Sequence, residues 1–244
     1  MEVPESTGRS SGVLSPEEAV NAAFEHSCKG IAWTYNEPGM WFEYTLDCAR
    51  LAVEKGLYTV YVTNGFLTEA ALDTIGPYLG AWRVDIKGFS DELYRGLAKV
   101  KGWRGILEVT ERAHSKWDMH VEVVTNIIPG MNDDRQQLEA LASWIYNQLG
   151  ELTPWHVTRF YPHHNLMHLP PTPVESLEKA YDIGKKSGLR FIYIGNVPGH
   201  EKENTECYSC GRVVISRMGY NTEVKGVKGS RCAYCGAELN IRGE

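Results

Sequence analysis

Cysteine is scarce in this 244-residue chain: there are six, and four of them stand in two close pairs near the C-terminus. That is too few, and too uneven, for a secreted disulfide scaffold of this length. A reducing, cytoplasmic setting is expected. Long apolar runs are missing as well. No stretch approaches the roughly 20 residues that a membrane span needs, and Met1 opens no charged-then-apolar leader, so no membrane partner is expected. Excess positive charge is also lacking. Lys and Arg number 25 against 31 Asp and Glu, a net charge of −6, which argues against a general nucleic-acid binder. No short internal repeat or low-complexity tract is present. The chain is 43% hydrophobic, with 24 Gly and 11 Pro, long enough for one large core and a small appendage.

The apolar pattern alternates between short runs and helical periodicity. Residues 1–14 are polar and read as a linker. Ser15-Pro16-Glu17-Glu18 opens a helix, with Ser15 at the N-cap and Glu18 closing a capping box; Val20, Ala23 and Phe24 share its face. Gly30 to Tyr35 reads as a buried strand, and helices are expected over Trp41–Lys55, Thr68–Ile75 and about Trp103–Lys116. Further strands are expected over Leu57–Val62, Trp82–Lys87, His120–Ile128, Trp155–Tyr161 and Leu189–Ile194. Asn132 or Asp133 would cap a helix reaching about Leu149. Thr172-Pro173-Val174-Glu175 repeats the capping-box pattern for the helix that ends near Gly188. Five or six strand–helix alternations mean parallel strands joined by right-handed crossovers. The expected fold is α/β, a partial (β/α) TIM-like barrel over residues 15–200, shorter than the full eight-fold closure.

Ligands of such folds bind at the C-terminal tips of the strands. Here those tips are polar: Thr34-Tyr35-Asn36-Glu37-Pro38, Thr63-Asn64-Gly65, Asp85-Ile86-Lys87, and Pro129-Gly130-Met131-Asn132-Asp133. Asn36 and Glu37 could accept bonds from a ligand ammonium group; the alternative is a loop carboxylate that caps the next helix. Asp85 and Lys87 could equally form a local ion pair. His163, His164 and His168 suit a substrate-side loop better than a metal site, since no carboxylate is adjacent.

Cys207-Tyr208-Ser209-Cys210-Gly211 and Cys232-Ala233-Tyr234-Cys235-Gly236 are the firmest motif. Two C-x-x-C knuckles let four thiolates converge on one tetrahedral ion, and the glycine after each permits the tight turn. Residues 201–244 are therefore expected to form a small zinc-ribbon-like module held by its four cysteines, with the intervening Arg212–Arg231 as a hairpin. The metal is zinc or, alternatively, iron. Cys28 and Cys48 read as small buried thiols on helix faces.

In their order and spacing, the strand tips, the Arg159-Phe160-Tyr161-Pro162 segment, the Gly195-Asn196 tip and the cysteine pairs resemble the radical SAM superfamily. They are most similar to its pyruvate formate-lyase-activating-enzyme-like members of the AmmeMemoRadiSam type. The resemblance implies a radical-SAM-type barrel that binds S-adenosylmethionine (SAM). Asn36 and Glu37 would hold the SAM amino group, and Thr63, Asn64 and Gly65 would line the same pocket. Lys87 would meet the carboxylate and Asp85 a cation or ribose. Pro129 and Gly130 would shape the adenine end, and His156 and Arg159 would face adenine or substrate. It also implies a [4Fe-4S] cluster, a flavodoxin- or ferredoxin-type electron donor, and reductive cleavage of SAM to a 5′-deoxyadenosyl radical. That radical would abstract hydrogen from a substrate such as a protein or peptide. The family's C-x-x-x-C-x-x-C triplet is absent. The chain therefore looks like such an enzyme without its first βα unit, inactive by itself, or like a non-catalytic or split-partner protein that binds another chain. Val124 stands where glycyl-radical activases tend to carry a basic residue.

Overall fold

The structure is a computed structural model and describes residues 14–219 and 221–242. The linker expected over residues 1–14 falls almost wholly outside them. Six parallel strands form one sheet in sequential order: β1 (Gly30–Trp33), β2 (Tyr58–Thr63), β3 (Ala81–Asp85), β4 (His120–Ile127), β5 (Trp155–Arg159) and β6 (Ile192–Gly195). Each strand pairs with its neighbours in sequence, and the crossovers carry α1 (Pro16–Glu25) ahead of β1, then α2 (Phe42–Glu54), α3 (Glu69–Ile75), the three-residue α4 (Asp91–Leu93), α5 (Arg104–Ser115), α6 (Arg135–Trp144) and α7 (Val174–Lys186). The result is an open, partial barrel.

Period-two alternation sorts the side chains. Tyr61, Trp82, Val84, Val121, Val123, Trp155 and Val157 face the helices and are buried. Arg83, Glu122, His156 and Tyr193 face the concave side, which they share with one cavity. The two central tryptophans bury their rings without orphaning their indole N–H groups: Trp82 Nε1 donates to Thr110 Oγ1 at 3.3 Å and Trp155 Nε1 to Thr125 Oγ1 at 3.0 Å.

The helix starts show where local signals hold. Ser15 and Glu18 form the capping box on α1, with bonds of 2.8 and 3.2 Å. Neither Asn132 nor Asp133 caps α6; Asp134 does, accepting from Gln137 N at 3.0 Å. Asn132 is recruited elsewhere, as described below, and Asp133 accepts from Gly130 N at 2.8 Å. Thr172 does not cap α7 either. Its hydroxyl accepts from Phe160 N at 2.9 Å and donates to Ile127 O at 2.5 Å, pinning the loop after β5 to the end of β4. In both cases a long-range partner outcompetes the local cap. Phe24 is exposed although Val20 on the same helix is buried. Cys48 is buried as expected, but Cys28 is exposed, because it lies beyond the end of α1.

The C-terminal segment forms β7 (Thr205–Glu206), β8 (Val213–Met218) and β9 (Asn221–Val224) in one antiparallel sheet, and β10 (Val227–Lys228) with β11 (Arg231–Cys232) in another. Its apolar cluster is small: Phe191, Cys207, Val214, Cys232 and Leu239. It packs against the N-terminal ends of the barrel strands. Asn240 Nδ2 donates to Leu152 O at 3.1 Å, Tyr193 and Thr205 share a hydroxyl bond of 3.0 Å, and the Arg242 guanidinium grips the Asp118 carboxylate at 2.9 and 3.2 Å.

Candidate functional site

The β1 ladder ends at Trp33, two residues short of the expected Tyr35, and beyond it Glu37 caps a single 3-10 turn, Pro38–Trp41. The Glu37 carboxylate does more than cap. Besides Gly39 N at 3.4 Å, Oε1 accepts from Thr63 Oγ1 at 2.5 Å, and Oε2 accepts from Asn64 N at 2.7 Å. Thr63 Oγ1 in turn accepts from Gly65 N at 3.0 Å. The tips of β1 and β2 are thus one bonded unit. Gly65 has φ +77, and a Cβ there would lie 2.4 Å from Ile106 Cγ2. Only glycine gives this turn both its conformation and its clearance. The ligand-facing and capping readings of Glu37 are both compatible with this geometry, since a carboxylate has about four acceptor sites.

On the next tip, Lys87 Nζ lies 3.4 Å from Asp85 Oδ2, so the local ion pair is present and partly exposed. The Lys87 backbone is clamped: its N–H donates to the Tyr94 hydroxyl at 3.1 Å, and its carbonyl accepts from Asn132 Nδ2 at 2.7 Å. Asn132 Nδ2 also donates to Asn126 O at 2.8 Å, and its Oδ1 accepts from Ile128 N at 2.6 Å. This buried amide ties the β3 tip to the β4 tip. Burial pushes the Tyr94 phenol up to about 12. Asp85, Lys87, Asn126 and Val124 line a cavity of about 260 Å³ at this lip. Pro129 and Gly130 continue the turn beyond β4, with Gly130 at φ +72.

Two of the expected residues lie on β5, Arg159 at its C-terminal end and His156 three places back. Arg159 Nε donates to Thr172 O at 2.8 Å and its guanidinium sits over the Tyr161 ring, so it braces the loop after β5. His156 lies lower in the barrel, 3.0 Å from Glu122 Oε2 and stacked on Tyr193. Two polar groups not singled out from the sequence do join the concave wall: Asn126 Oδ1 and Thr158 Oγ1 lie 3.4 Å apart. Their signal was the recurrence of polar residues at even positions of β4, His120, Glu122 and Asn126. His163 and His164 stack edge-on with each other.

At the other end of the barrel, the four cysteine sulfurs of the ribbon all lie within 4.8 Å of one another. Cys207 and Cys235 are 3.5 Å apart, and Cys210 and Cys232 3.8 Å. Four thiolates about 2.3 Å from one tetrahedral zinc would be about 3.8 Å apart. The two knuckles are built alike. Gly211 N donates to Cys207 O and Gly236 N to Cys232 O, each at 2.8 Å, and both glycines have positive φ, +72 and +77. Burial pushes the Cys207 thiol up to about 11, while the Ala237 N–H draws Cys235 down to about 7. The donor set fits a metal ion. Among the described residues it is the one group of His, Cys and carboxylates that converges in this way.

The model of the Radical SAM superfamily matches residues 3–145. The chain belongs to the radical SAM superfamily. An uncharacterised protein of Methanocaldococcus jannaschii is 37% identical to this radical SAM chain over 230 residues, covering 93% of the chain and 68% of the relative. The isethionate sulfite-lyase activating enzyme of Oleidesulfovibrio alaskensis is 28% identical over 131 residues, 53% of the chain and 42% of that enzyme. Among solved structures, a domain of a pyruvate-formate lyase-activating enzyme from Bacteroides vulgatus superposes with a TM-score of 0.57 at 17% identity, covering 68% of the chain and 99% of that domain. SuiB from Streptococcus suis, solved with S-adenosylmethionine, gives a TM-score of 0.60 at 10% identity over 78% of the chain and 45% of SuiB. These structural likenesses carry the fold alone. The superfamily implies SAM and an iron–sulfur cluster. The cluster does not fit the cysteines of this radical SAM chain. Cys28 and Cys48 stand singly, and the other four belong to the ribbon, at the opposite end of the strands from the lip. Among the described residues, no helix is long and apolar enough to cross a membrane.

Proposed function

We propose that this chain is the SAM-binding barrel body of a radical SAM enzyme of the activating-enzyme type. The observation that carries the reading is the bonded lip: Glu37, Thr63, Asn64 and Gly65 on two strand tips, followed by the Asp85–Lys87 pair on the third. SAM carries an ammonium, a carboxylate and a sulfonium. Glu37 and Asn36 would take the ammonium on the acceptor sites that Thr63 and Asn64 leave open. Lys87 would exchange Asp85 for the SAM carboxylate, and Asp85 would then be free for the ribose hydroxyls. Pro129 and Gly130 would border the adenine. Arg159, at the tip of β5, would face adenine or substrate, and His156 lies deeper on the same strand beside Glu122. Bound SAM would supply the alkyl radical chemistry of the superfamily. The cysteines for the cluster are not among these 244 residues, so the chain alone would bind SAM without cleaving it. A protein or peptide substrate and a flavodoxin- or ferredoxin-type donor belong to the same reading.

The test is calorimetric titration of SAM into the full chain, alone and with a cluster-bearing segment supplied in trans. Saturable binding is expected, weakened about tenfold to a hundredfold by Glu37→Gln and by Lys87→Ala. No binding in either arm would sink the reading. A second reading, a non-catalytic partner of another chain, is favoured by β1. It pairs only with β2 among the described strands, and a free sheet edge invites pairing. A stable heteromeric complex in size-exclusion chromatography without any SAM binding would select it.

A further inference from the structure

A cavity of about 500 Å³ lies away from the lip, at the opposite end of the barrel, between the N-terminal halves of the strands and the ribbon. Such a volume is in the range of small-molecule sites. Its walls are apolar where Val60, Pro154, Phe191, Ile215 and Leu239 line it, and the half-exposed Tyr58 borders it. Into this apolar chamber the concave faces of β3, β4 and β5 deliver Arg83, His120, Glu122 and His156.

The charges there do not balance. Glu122 lies opposite Arg83 in the strand register, yet its oxygens are taken by two imidazoles instead, His120 Nε2 at 3.3 Å and His156 Nε2 at 3.0 Å. Among the described residues, Arg83 Nε is buried without a hydrogen-bond partner, and so is His120 Nδ1. A buried guanidinium N–H left unpaired is costly, and the natural partner of its planar fork is a carboxylate or phosphate. A second cation points the same way. Arg217 comes from the ribbon, lies over the Tyr193 ring, and among the described residues donates to neutral acceptors, Glu203 O at 3.0 Å and Thr205 Oγ1 at 2.8 Å. Arg242, by contrast, is neutralised by Asp118. Two uncompensated arginines beside one shared carboxylate give the chamber a positive field.

We propose that this chamber is a binding site for an organic anion, a compact apolar body bearing one carboxylate or phosphate that Arg83 takes through its guanidinium edge. The apolar wall holds the body and the ribbon closes the floor. The site is separate from the SAM lip.

The experiment titrates the full, metal-loaded chain with benzoate, phenyl phosphate and benzyl alcohol, which share a ring and differ in charge. At least one of the two anions is expected to saturate, and to bind at least about tenfold more tightly than the alcohol. The tighter anion identifies the carboxylate or the phosphate source. Arg83→Gln is expected to weaken the anion by about tenfold or more and to leave the alcohol unchanged. A readout free of any variant is the Arg83 Nε–Hε resonance of the unaltered chain, which is expected to shift on anion titration and to stay put with the alcohol. Equal binding of all three probes, no binding by either anion, or an Arg83 resonance indifferent to the anions would overturn the proposal. The last result would mean that Arg83 turns onto Glu122 in solution.

Discussion

The barrel lip and the ribbon both gather groups suited to a charged guest, but they hold them by opposite means. At the lip, Glu37 and Lys87 are fixed by hydrogen bonds whose other ends are anchored in a continuous core, from Thr63 on β2 to the buried Asn132 after β4. In the ribbon the cysteines are themselves two of the five buried residues of the local cluster. Remove the guest from the lip and the lip keeps its shape. Remove it from the ribbon and little remains to hold the knuckles together. A site placed on a large core is preorganised by that core, whereas a small module needs its ligand as part of its structure.

The sharpest way to break this comparison is to take the metal away. Chelation of the zinc-loaded ribbon is expected to remove a binding contribution on the order of 10 kcal/mol, and Cys210→Ser a part of it. Residues 205–232 should lose amide protection while the six-stranded sheet keeps its own. Residue-resolved hydrogen exchange reads this directly, and a ribbon that stays protected without metal would refute the contrast. The lip is predicted to depend instead on packing. Gly65→Ala places a Cβ 2.4 Å from Ile106 Cγ2 and 3.0 Å from Val84 Cγ2 at φ +77, and should cost about 3 kcal/mol in urea unfolding. A loss below about 1 kcal/mol would mean that the turn relaxes easily.

The smallest effect sharpens the comparison between the two ends of the barrel. Burial pushes the Glu122 carboxyl up, but hydrogen bonds from His120 and His156 and their charge draw it further down, so the net value lies well below the ordinary one. A depressed folded value means that the stabilisation is complete above the unfolded carboxyl value, about 4.3, and drains away as the pH falls from there toward the folded value. Glu122→Gln should therefore flatten the fall of unfolding free energy between about pH 5 and pH 3. Identical slopes in the two proteins would show that Glu122 is not ion-paired in the folded state.

Legibility from the sequence tracked the range of the interactions. The Ser15 capping box and the cysteine knuckles are set by residues three or four apart, and each appears as expected. The caps of α6 and α7 were misplaced because Asn132 and Thr172 serve partners up to 45 residues away. Arg159 ends β5 at the lip, whereas His156, grouped with it, lies deeper beside Glu122, because a tip residue and one three places back look alike in a linear pattern. Their side chains leave the strand at different depths and on different faces.

The sequence by itself determined the alternation of strands and helices, the polar strand tips and the four converging thiolates. The reason is that period, proline and glycine placement and C-x-x-C spacing act locally on the backbone. Only the tertiary structure decided that Glu37 is bonded to the next strand, that the ribbon closes the far end of the barrel, and that Arg83 faces a chamber with its carboxylate neighbour already taken. Those facts arise where strands some 25 to 40 residues apart in sequence are brought into register, and no local pattern records which of several possible partners a buried charge will find.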